Sequence, residues 1–243
     1  MRRWAGKRYW LVGASEGLGR ALAEKMSRAG VELVLSARNA DRLQALADRL
    51  PGRASAVPVD VTDSAAVRAA REEVGEIDGV VTLSGVYWPM AAQDWHPERV
   101  EAMCDTNFTG TARVLGTVVP GFAARDSGHV VLVGSLSGFR GLPGATGYAA
   151  SKAGVMAMAE GLYADLRDTG VEVQLVNPGF VRTRLTDKND FRMPFRMEPD
   201  AAAGLIFAHM STGGFSRSFP APFAWLFRLG QVLPDWLYYR IFA

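Results

Sequence analysis

The sequence predicts an α/β protein in which helices cover both faces of a parallel β-sheet. Short apolar runs alternate with longer segments of helical periodicity along most of the 243 residues. The runs are nearly continuous rather than alternating, which is typical of strands that are buried on both faces. No internal repeat, low-complexity tract or linker interrupts the pattern. We therefore expect residues 1–220 to form one domain, and residues 221–243 to form an appended helical tail that is not an independent domain.

Seven strands and six main helices follow in order from this pattern. The strands are expected over residues 8–12, 31–36, 54–59, 80–84, 129–134, 171–176 and, least clearly, 215–219. The helices are expected over residues 18–29, 41–50, 64–74, 98–124, 146–168 and 200–209. Asp41 and Asp63 mark helix beginnings, where a side-chain oxygen can accept from free backbone N–H groups. Gly30, Gly75 and Gly170 follow helix ends, where glycine is common.

Composition argues against several kinds of protein. The 27 basic and 25 acidic side chains give a net charge of +2 without a basic block, so nucleic acid is not an expected partner. The single cysteine, Cys104, excludes an internal disulfide, and the three histidines are too scattered for a structural metal site. No apolar stretch reaches the roughly 18 residues of a membrane span, and none resembles a signal peptide. We therefore expect a cytoplasmic, metal-free protein.

A glycine-rich turn joins the first predicted strand to the first predicted helix. It reads Gly13-Ala14-Ser15-Glu16-Gly17-Leu18-Gly19. Glycine permits a sharp turn and a close approach of backbone to a pyrophosphate, while the free N–H groups of a helix start attract an anion. Ser15 can add a hydroxyl donor or a cap. Strand-to-helix turns use glycine in any case, but the flanking strand and helix favour a nucleotide site.

The end of the second predicted strand carries an arginine and no acid. Dinucleotide sites place a carboxylate at this position for the 2′-hydroxyl of NAD, or an arginine for the 2′-phosphate of NADP. The segment here is Leu35-Ser36-Ala37-Arg38-Asn39. Arg38 therefore favours NADP(H), with NAD(H) as the second choice, since a guanidinium suits bidentate phosphate binding. The alternative is a solvated arginine at a helix start.

Three polar side chains around the fifth strand form a candidate acid–base site. Ser135 follows this strand, where open α/β sheets bind ligands, and it can hydrogen-bond a substrate oxygen. Tyr148 and Lys152 are four residues apart on the next helix and share one face. An ammonium beside a phenol lowers the phenol pKa from about 10 by stabilising the phenolate. Taken singly, Ser135 could be a strand-end cap, and Tyr148 and Lys152 could be an amphipathic surface pair. Taken as a set, the three residues indicate an acid–base catalytic site.

The motifs together resemble those of the short-chain dehydrogenase/reductase family over about residues 7–210. They are the glycine turn, Asp60, Asn107, Ser135, Tyr148-x-x-x-Lys152 and Pro178-Gly179-x-Val181-x-Thr183. The resemblance implies a Rossmann-like doubly wound sheet with strand order 3-2-1-4-5-6-7, and a homodimer or homotetramer. One segment departs from the family, because Thr82-Leu83-Ser84-Gly85 replaces the usual Asn-Asn-Ala-Gly after the fourth strand. This change removes the asparagines that usually brace the loop.

The resemblance also assigns roles to single residues. Tyr148 would be the general acid/base, and Ser135 would orient and polarise the substrate carbonyl or hydroxyl. Lys152 would bind the nicotinamide ribose and lower the pKa of Tyr148, and Asn107 would hold a water that links Lys152 to solvent. Asp60 would contact adenine, although alone it would only suggest a helix cap. The full set of expected cofactor contacts is Gly13, Ser15, Glu16, Gly17, Leu18, Gly19, Arg38, Asp60, Val61, Ser84, Gly85, Tyr148, Lys152, Pro178, Gly179, Val181 and Thr183.

The expected activity is NADP(H)-dependent interconversion of a ketone or aldehyde with an alcohol on a hydrophobic small molecule. The alternatives are a 3-oxoacyl thioester reductase and a non-catalytic nucleotide sensor of the same fold, although a sensor has no need of the catalytic set. The residues that determine substrate specificity are expected within segments 87–90, 138–147 and 184–199. The last segment fits either a mobile apolar lid or a loop packed on the core. Arg192 and Arg196 would lie four apart if this segment were helical.

The C-terminal tail concentrates aromatic side chains. Eight of the 24 aromatic residues lie in the last 25 positions, namely Phe219, Phe223, Trp225, Phe227, Trp236, Tyr238, Tyr239 and Phe242. Pro222 and Pro234 can each open a short helix. Three interpretations are open: a flap on the substrate pocket or a partner subunit, a peripheral membrane anchor with Trp and Tyr at headgroup level, or a tail docked on its own core. Charged residues within the tail exclude a transmembrane span.

Overall fold

The computed structural model describes residues 2–242 and contains a seven-stranded parallel sheet of order β3-β2-β1-β4-β5-β6-β7. The strands are β1 (Arg8–Val12), β2 (Glu32–Ser36), β3 (Ala54–Ala56), β4 (Gly79–Thr82), β5 (Gly128–Val133), β6 (Val171–Pro178) and β7 (Ser216–Phe219). The predicted fold class, strand number and strand order are therefore confirmed. β3 ends three residues earlier than predicted, because only Ala54, Ser55 and Ala56 pair with β2.

The helices flank this sheet and add a two-helix tail. They are α1 (Gly17–Arg28), α2 (Ala40–Ala47), α3 (Ser64–Val74), α4 (Pro97–Met103), α5 (Gly110–Ala124), α6 (Thr146–Leu166), α7 (Pro199–Met210), α8 (Ala221–Val232) and α9 (Asp235–Phe242). The prediction of one helix over residues 98–124 is wrong in detail. A π-helical turn over Cys104–Thr109 separates α4 from α5. Such turns are rare and often lie at functional sites.

Burial on both faces of the sheet explains the continuous apolar strands. In β1, Tyr9 and Leu11 join the core layer formed with α1 and α7, whereas Trp10 and Val12 join the layer formed with α3, α5 and α6. These four side chains are almost completely excluded from solvent. Successive residues of a strand point to opposite faces, so both must be apolar when helices cover both faces. No helix in the described part of the chain is long and apolar enough to cross a bilayer.

Helix termini show which of the predicted capping signals the fold uses. Asp63 caps α3, with its carboxylate accepting from the N–H groups of Ala65 and Ala66 at 2.7 and 3.0 Å. α2 is capped by Asn39 rather than by Asp41, which lies inside the first turn. α2 also ends at residue 47 rather than at the predicted residue 50. Since every strand runs in the same direction, the segments that follow the strands meet at one edge of the sheet.

Candidate active site

Two adjoining cavities open at the carboxyl edge of the sheet. One, of about 340 Å³, extends from the glycine turn to Tyr148 and is called the polar cleft below. The other, of about 720 Å³, lies on the side of the tail and is called the apolar cavity. They share the wall residues Ser135, Tyr148, Gly179, Leu185 and Thr186. The predicted catalytic serine and tyrosine therefore lie where the two cavities meet.

The polar cleft collects every residue that was predicted to contact a cofactor. These residues come from the turns after β1, β2, β4 and β6, from the segment that follows β3, and from the start of α6. They are Gly13, Ser15, Glu16, Gly17, Leu18, Gly19, Arg38, Asp60, Val61, Ser84, Gly85, Tyr148, Lys152, Pro178, Gly179, Val181 and Thr183. Residues far apart in the sequence are thus brought to one surface.

Steric contacts explain the glycines of the first turn. Gly13 has a φ of +99°, and a Cβ at this position would lie 2.5 Å from the backbone nitrogen of Ser84. A Cβ on Gly19 would lie 2.0 Å from the carbonyl oxygen of Gly13. Both distances are far inside van der Waals contact, so neither position accepts a side chain. The glycines allow β1, α1 and the loop after β4 to meet closely at the cleft wall.

The first turn of α1 is built to receive an anion. The N-cap residue Glu16 makes no side-chain cap hydrogen bond, and the turn contains no acidic residue. α3, in contrast, is capped by the carboxylate of Asp63. The first N–H groups of a helix have no partner within the helix, and they carry its positive dipole end. Because Gly17, Leu18 and Gly19 line the cleft, these N–H groups lie at its wall, where such groups favour an anion.

Two further arginines lie at the far end of the polar cleft, beside the exposed Arg38. Arg42 of α2 pairs with the Glu16 carboxylate at 2.9 Å, and Arg184 pairs with the same carboxylate oxygen at 2.7 Å. Both line the cleft. The sequence interpretation missed them, although Arg42 lies only four residues after Arg38 and Arg184 directly follows Thr183. The lining of the cleft thus carries three guanidinium groups and the Lys152 ammonium against the carboxylates of Glu16 and Asp60, which leaves it net positive.

Asp60 makes a local turn rather than a helix cap. Its carboxylate accepts from the backbone N–H of Thr62 at 3.0 Å and from the Thr62 hydroxyl at 2.8 Å. Since Asp63 caps α3, the alternative that Asp60 does so is wrong. Val61 is buried next to it and packs against the start of α5, where a Cβ on Gly110 would lie 2.6 Å from a Val61 methyl group.

Asn107 lies behind the polar cleft, in the π-helical turn. Its side-chain oxygen accepts from the N–H of Val86 at 2.7 Å. Its amide nitrogen donates to the Val86 carbonyl and to the Ser151 hydroxyl, both at 3.0 Å. Asn107 is fully buried and holds the loop after β4, which lacks the family's two asparagines, against α6. The water relay expected for Asn107 remains a prediction.

The catalytic candidates surround the junction of the two cavities. The Ser135 hydroxyl accepts from the N–H of Ser137 at 3.2 Å and lies 2.9 Å from the Ser137 hydroxyl. The buried Lys152 ammonium donates to the carbonyl of Val133 at 2.9 Å and lies 5.9 Å from the centre of the Tyr148 ring. Tyr87 packs its ring against that of Tyr148 at 5.0 Å.

Burial dominates the acid–base properties of this group. Burial raises the pKa of Tyr148 to about 12, while the nearby Ser135 hydroxyl acts in the opposite direction. Burial also lowers the pKa of Lys152 to about 8. The Lys152 ammonium is hydrogen-bonded to the Val133 carbonyl, and the lowering of the Tyr148 pKa by Lys152 stays a prediction. Tyr148 is therefore a protonated phenol at neutral pH, in the form that can donate a proton.

Apolar side chains from four segments wall the larger cavity. They come from the loops after β4, β5 and β6 and from the tail, and include Tyr87, Met90, Leu136, Leu142, Phe180, Leu185, Phe191, Phe223, Phe227 and Phe242. The segments predicted to govern substrate choice thus all contribute. Arg192 and Arg196 do not line the cavity. The stretch that contains them is not helical, so the spacing expected for a helical pair does not apply.

The insertion after β6 is attached at both ends. Its Lys188 ammonium donates to the carbonyl of Tyr87 at 2.7 Å and lies 4.5 Å from the centre of the Trp88 ring. At the other end, Met197 forms a backbone bridge with Val181. The segment is therefore a loop tied to the rim of the apolar cavity by an ammonium group and a short bridge.

Arg140 ties the tail to the loop that lies between Ser135 and Tyr148. Its guanidinium donates to the carbonyls of Gly230 and Leu233, each at 2.7 Å, and pairs with the carboxylate of Asp235. It also lies 4.1 Å from the centre of the Tyr238 ring. The Tyr238 hydroxyl in turn donates to the Gly141 carbonyl at 2.9 Å.

The sequence interpretation missed Arg140, since its partners are about 90 residues away in the chain. The inner side of the tail packs on its own chain and, through Phe223, Phe227 and Phe242, walls the apolar cavity. The structure therefore supports the pocket flap and the docked tail among the three interpretations. Contact of the tail with a partner subunit stays a prediction.

Comparison with known proteins agrees with this geometry. The family model for short chain dehydrogenase matches residues 7–192. An uncharacterized oxidoreductase of Myxococcus xanthus is 41% identical over 235 residues, which cover 94% of this chain and 93% of the relative. A short-chain dehydrogenase from Sphingobium yanoikuyae, solved in complex with NADPH, is 29% identical and has a TM-score of 0.82 over 88% of each chain.

A short-chain dehydrogenase/reductase from Burkholderia phymatum, solved in complex with NAD, shares the fold with a TM-score of 0.87 over 94% of each chain at 23% identity. The family match covers well over half of the chain, and the cofactor and catalytic motifs of the sequence lie in one site. The chain belongs to the short-chain dehydrogenase family of oxidoreductases.

Proposed function

We propose that the protein is an NADP(H)-dependent oxidoreductase that interconverts a ketone or aldehyde with an alcohol on a hydrophobic small molecule. The observation that carries this proposal is the junction of the two cavities at Ser135 and Tyr148. One cavity has the charged lining of a dinucleotide site, and the other has the apolar lining of a substrate site. A homodimer or homotetramer is the expected form.

The residues of the polar cleft fit a nicotinamide dinucleotide. The uncapped start of α1 suits the pyrophosphate, and the glycine turn leaves room for it. The carboxylate of Glu16, which lines the cleft, is paired through its Oε2 atom with two arginines, which offset its negative charge. Arg38 is exposed at the same end and suits a 2′-phosphate, which favours NADP(H). When bound, this cofactor supplies or accepts the hydride.

The polar groups at the junction supply the proton and orient the substrate. A substrate oxygen placed between Ser135 and Tyr148 would accept a hydrogen bond from each hydroxyl. In the reducing direction the carbonyl carbon takes up the hydride and the Tyr148 phenol gives its proton to the oxygen, so that a secondary or primary alcohol forms. The raised pKa of Tyr148 keeps that proton in place until it is needed. The oxidising direction requires the phenolate instead.

The cofactor assignment is tested by the ratio of kcat/KM for NADPH and NADH. A hydrogen bond to a charged group contributes about 1.5–3 kcal/mol, so we expect Arg38→Ala to lower a preference for NADPH by roughly 10- to 100-fold. Arg196→Ala is the matched control, because Arg196 is an exposed arginine that lines neither cavity. A wild-type preference for NADH that Arg38→Ala leaves unchanged would contradict the assignment.

A further inference from the structure

The outer side of the tail exposes a row of large apolar side chains. Trp225 is 61% exposed, Trp236 is 70% exposed and Val232 is 80% exposed. The other exposed members of this surface, which we call the outer face, are Leu226, Leu229, Tyr239 and Ile241. Single exposed apolar residues are ordinary on a soluble protein, but seven within two adjacent short helices require a partner.

The inner side of the same helices is already occupied. Phe223, Phe227 and Gly230 of α8 and Tyr238 of α9 are buried against the rest of the chain. The outer face therefore cannot be covered by a small rotation of the helices, since this would expose an equal number of aromatic residues. Its partner must come from outside the described chain.

The charges of the tail are complementary to an anionic surface. Arg228 and Arg240 are exposed beside the apolar residues. The only acid of the tail, Asp235, is paired with Arg140. The outer face thus combines tryptophan, tyrosine and aliphatic side chains with unopposed positive charge. This is the composition of helices that lie in the headgroup region of a bilayer.

We propose that the outer face docks on a lipid surface that contains anionic headgroups, with α8 and α9 lying along that surface. α8 has 12 residues and α9 has 8, which is too short to span a bilayer but sufficient to lie on one. Arg228 and Arg240 attract the anionic headgroups, while Trp225 and Trp236 enter the boundary between headgroups and acyl chains.

A second copy of the chain is a poorer occupant of this face. In a twofold interface the same patch lies on both subunits, so the interface would contain Arg228 and Arg240 twice, four guanidinium groups in all. The only acidic side chain of the tail, Asp235, is 87% exposed but is already paired with Arg140, so it offsets little of this charge. Burying like charges in this way costs free energy, whereas an anionic membrane gains from the same arginines.

Docking would place the apolar cavity next to the lipid. The helices that carry the outer face also carry Phe223, Phe227 and Phe242 of the cavity wall. A carbonyl compound dissolved in the membrane would then enter the cavity without crossing water. This consequence rests on the proposed function, but the docking itself does not.

The test is flotation of the full chain with vesicles of phosphatidylcholine alone and of phosphatidylcholine mixed with phosphatidylglycerol. We expect binding to the anionic vesicles that weakens as salt is added, and little binding to the neutral ones. Each arginine near an anionic surface contributes a factor of about five, so the double variant Arg228→Glu and Arg240→Glu should bind at least about 30-fold more weakly.

Two further variants separate docking from a general loss of structure. The double variant Trp225→Ser and Trp236→Ser should also lose binding, whereas Trp95→Ser should keep it. Trp95 is a matched control, because it is 47% exposed but lies outside the tail. The unfolding temperature of every variant is measured as well. A variant that binds less because it has lost its structure will have a lower unfolding temperature than the wild type.

Two results would overturn the proposal. One is the absence of binding to anionic vesicles at low salt, or binding that neither double variant changes. The other is a fall in the mass measured by light scattering when Trp225 and Trp236 are replaced, because this would make the outer face a contact between subunits. Binding that follows the arginines and the tryptophans, at an unchanged oligomeric mass, supports it.

Discussion

The polar cleft and the apolar cavity meet at Ser135 and Tyr148, but they are built in different ways. The cleft is formed by turns that directly follow strands, where backbone contacts leave no space for a side chain at Gly13 or Gly19. The cavity is formed by loops and a tail that side chains such as Arg140 and Lys188 hold in place. The proposed cofactor half of the site is therefore specified by backbone packing, and the proposed substrate half by a few polar side-chain contacts.

This difference predicts different responses to substitution. A side chain added at Gly13 or Gly19 displaces the backbone of the cleft and should affect stability and cofactor binding together. A substitution of a side chain that holds the cavity loops or the tail, such as Arg140 or Lys188, should leave the sheet and the cleft intact. It should affect only substrate binding.

Gly19→Ala should have the largest effect on the cleft. The new Cβ would lie 2.0 Å from the Gly13 carbonyl oxygen, so the glycine turn must move. Overpacking of this kind costs about 1–3 kcal/mol, and we expect NADPH binding to be lost together with a lower unfolding temperature. Both are measured by thermal unfolding with and without NADPH.

Gly141→Ala is the control for this experiment. Gly141 lies in the loop before α6, and a Cβ there would meet no atom within 4 Å. We expect unchanged stability within about 0.5 kcal/mol and unchanged NADPH binding. If Gly19→Ala bound NADPH as well as Gly141→Ala does, the backbone of the cleft would be more adaptable than this account allows.

Arg140→Ala should have a smaller and more selective effect. The substitution leaves the carbonyls of Gly230 and Leu233 without their donor and frees Asp235, so the tail loses its attachment to the loop before Tyr148. We expect KM for apolar carbonyl substrates to rise about tenfold, since hydrogen bonds to a charged group contribute about 1.5–3 kcal/mol. The Kd of NADPH should not change.

Substitutions at the same contact should give graded results. Arg140→Lys keeps the charge but not the planar fork, so it should restore part of the loss. Tyr238→Phe removes only the hydrogen bond to the Gly141 carbonyl and should raise KM by a few-fold at most. The KM of Arg140→Ala is also measured for small water-soluble ketones. If it rises as much as the KM for apolar ketones, Arg140 supports the fold generally rather than the apolar wall of the cavity.

The two halves of the site also differed in how well the sequence predicted them. The residues predicted to contact the cofactor lie mostly in short motifs beside strands, and the structure brings all of these predicted residues to one cleft. The strand order came from the resemblance, because apolar periodicity alone does not define the order of parallel strands. Arg42 and Arg184 were missed because their importance arises from a shared carboxylate in a different segment, Glu16.

Other features depend on three-dimensional contacts that the sequence does not display. The π-helical turn around Asn107 lies within a continuous helical pattern, so periodicity predicted a single helix. The Arg140 contacts join segments about 90 residues apart. The spacing of Tyr148 and Lys152 predicted a shared face correctly, but it could not reveal that burial raises the tyrosine pKa while the ammonium is bound to a backbone carbonyl.

The most direct test of the account is the turnover of Tyr148→Phe with NADPH and a panel of ketones, aldehydes and acyl thioesters. Tyr87→Phe is the matched control, since Tyr87 packs on Tyr148 and lines the same cavity. Loss of a general acid lowers turnover by about 10²–10⁴-fold, so we expect Tyr148→Phe to be nearly inactive, with an unchanged Kd for NADPH, and Tyr87→Phe to stay active. Substantial turnover by Tyr148→Phe, or no NADPH oxidation by the wild type with any compound of the panel, would contradict the account.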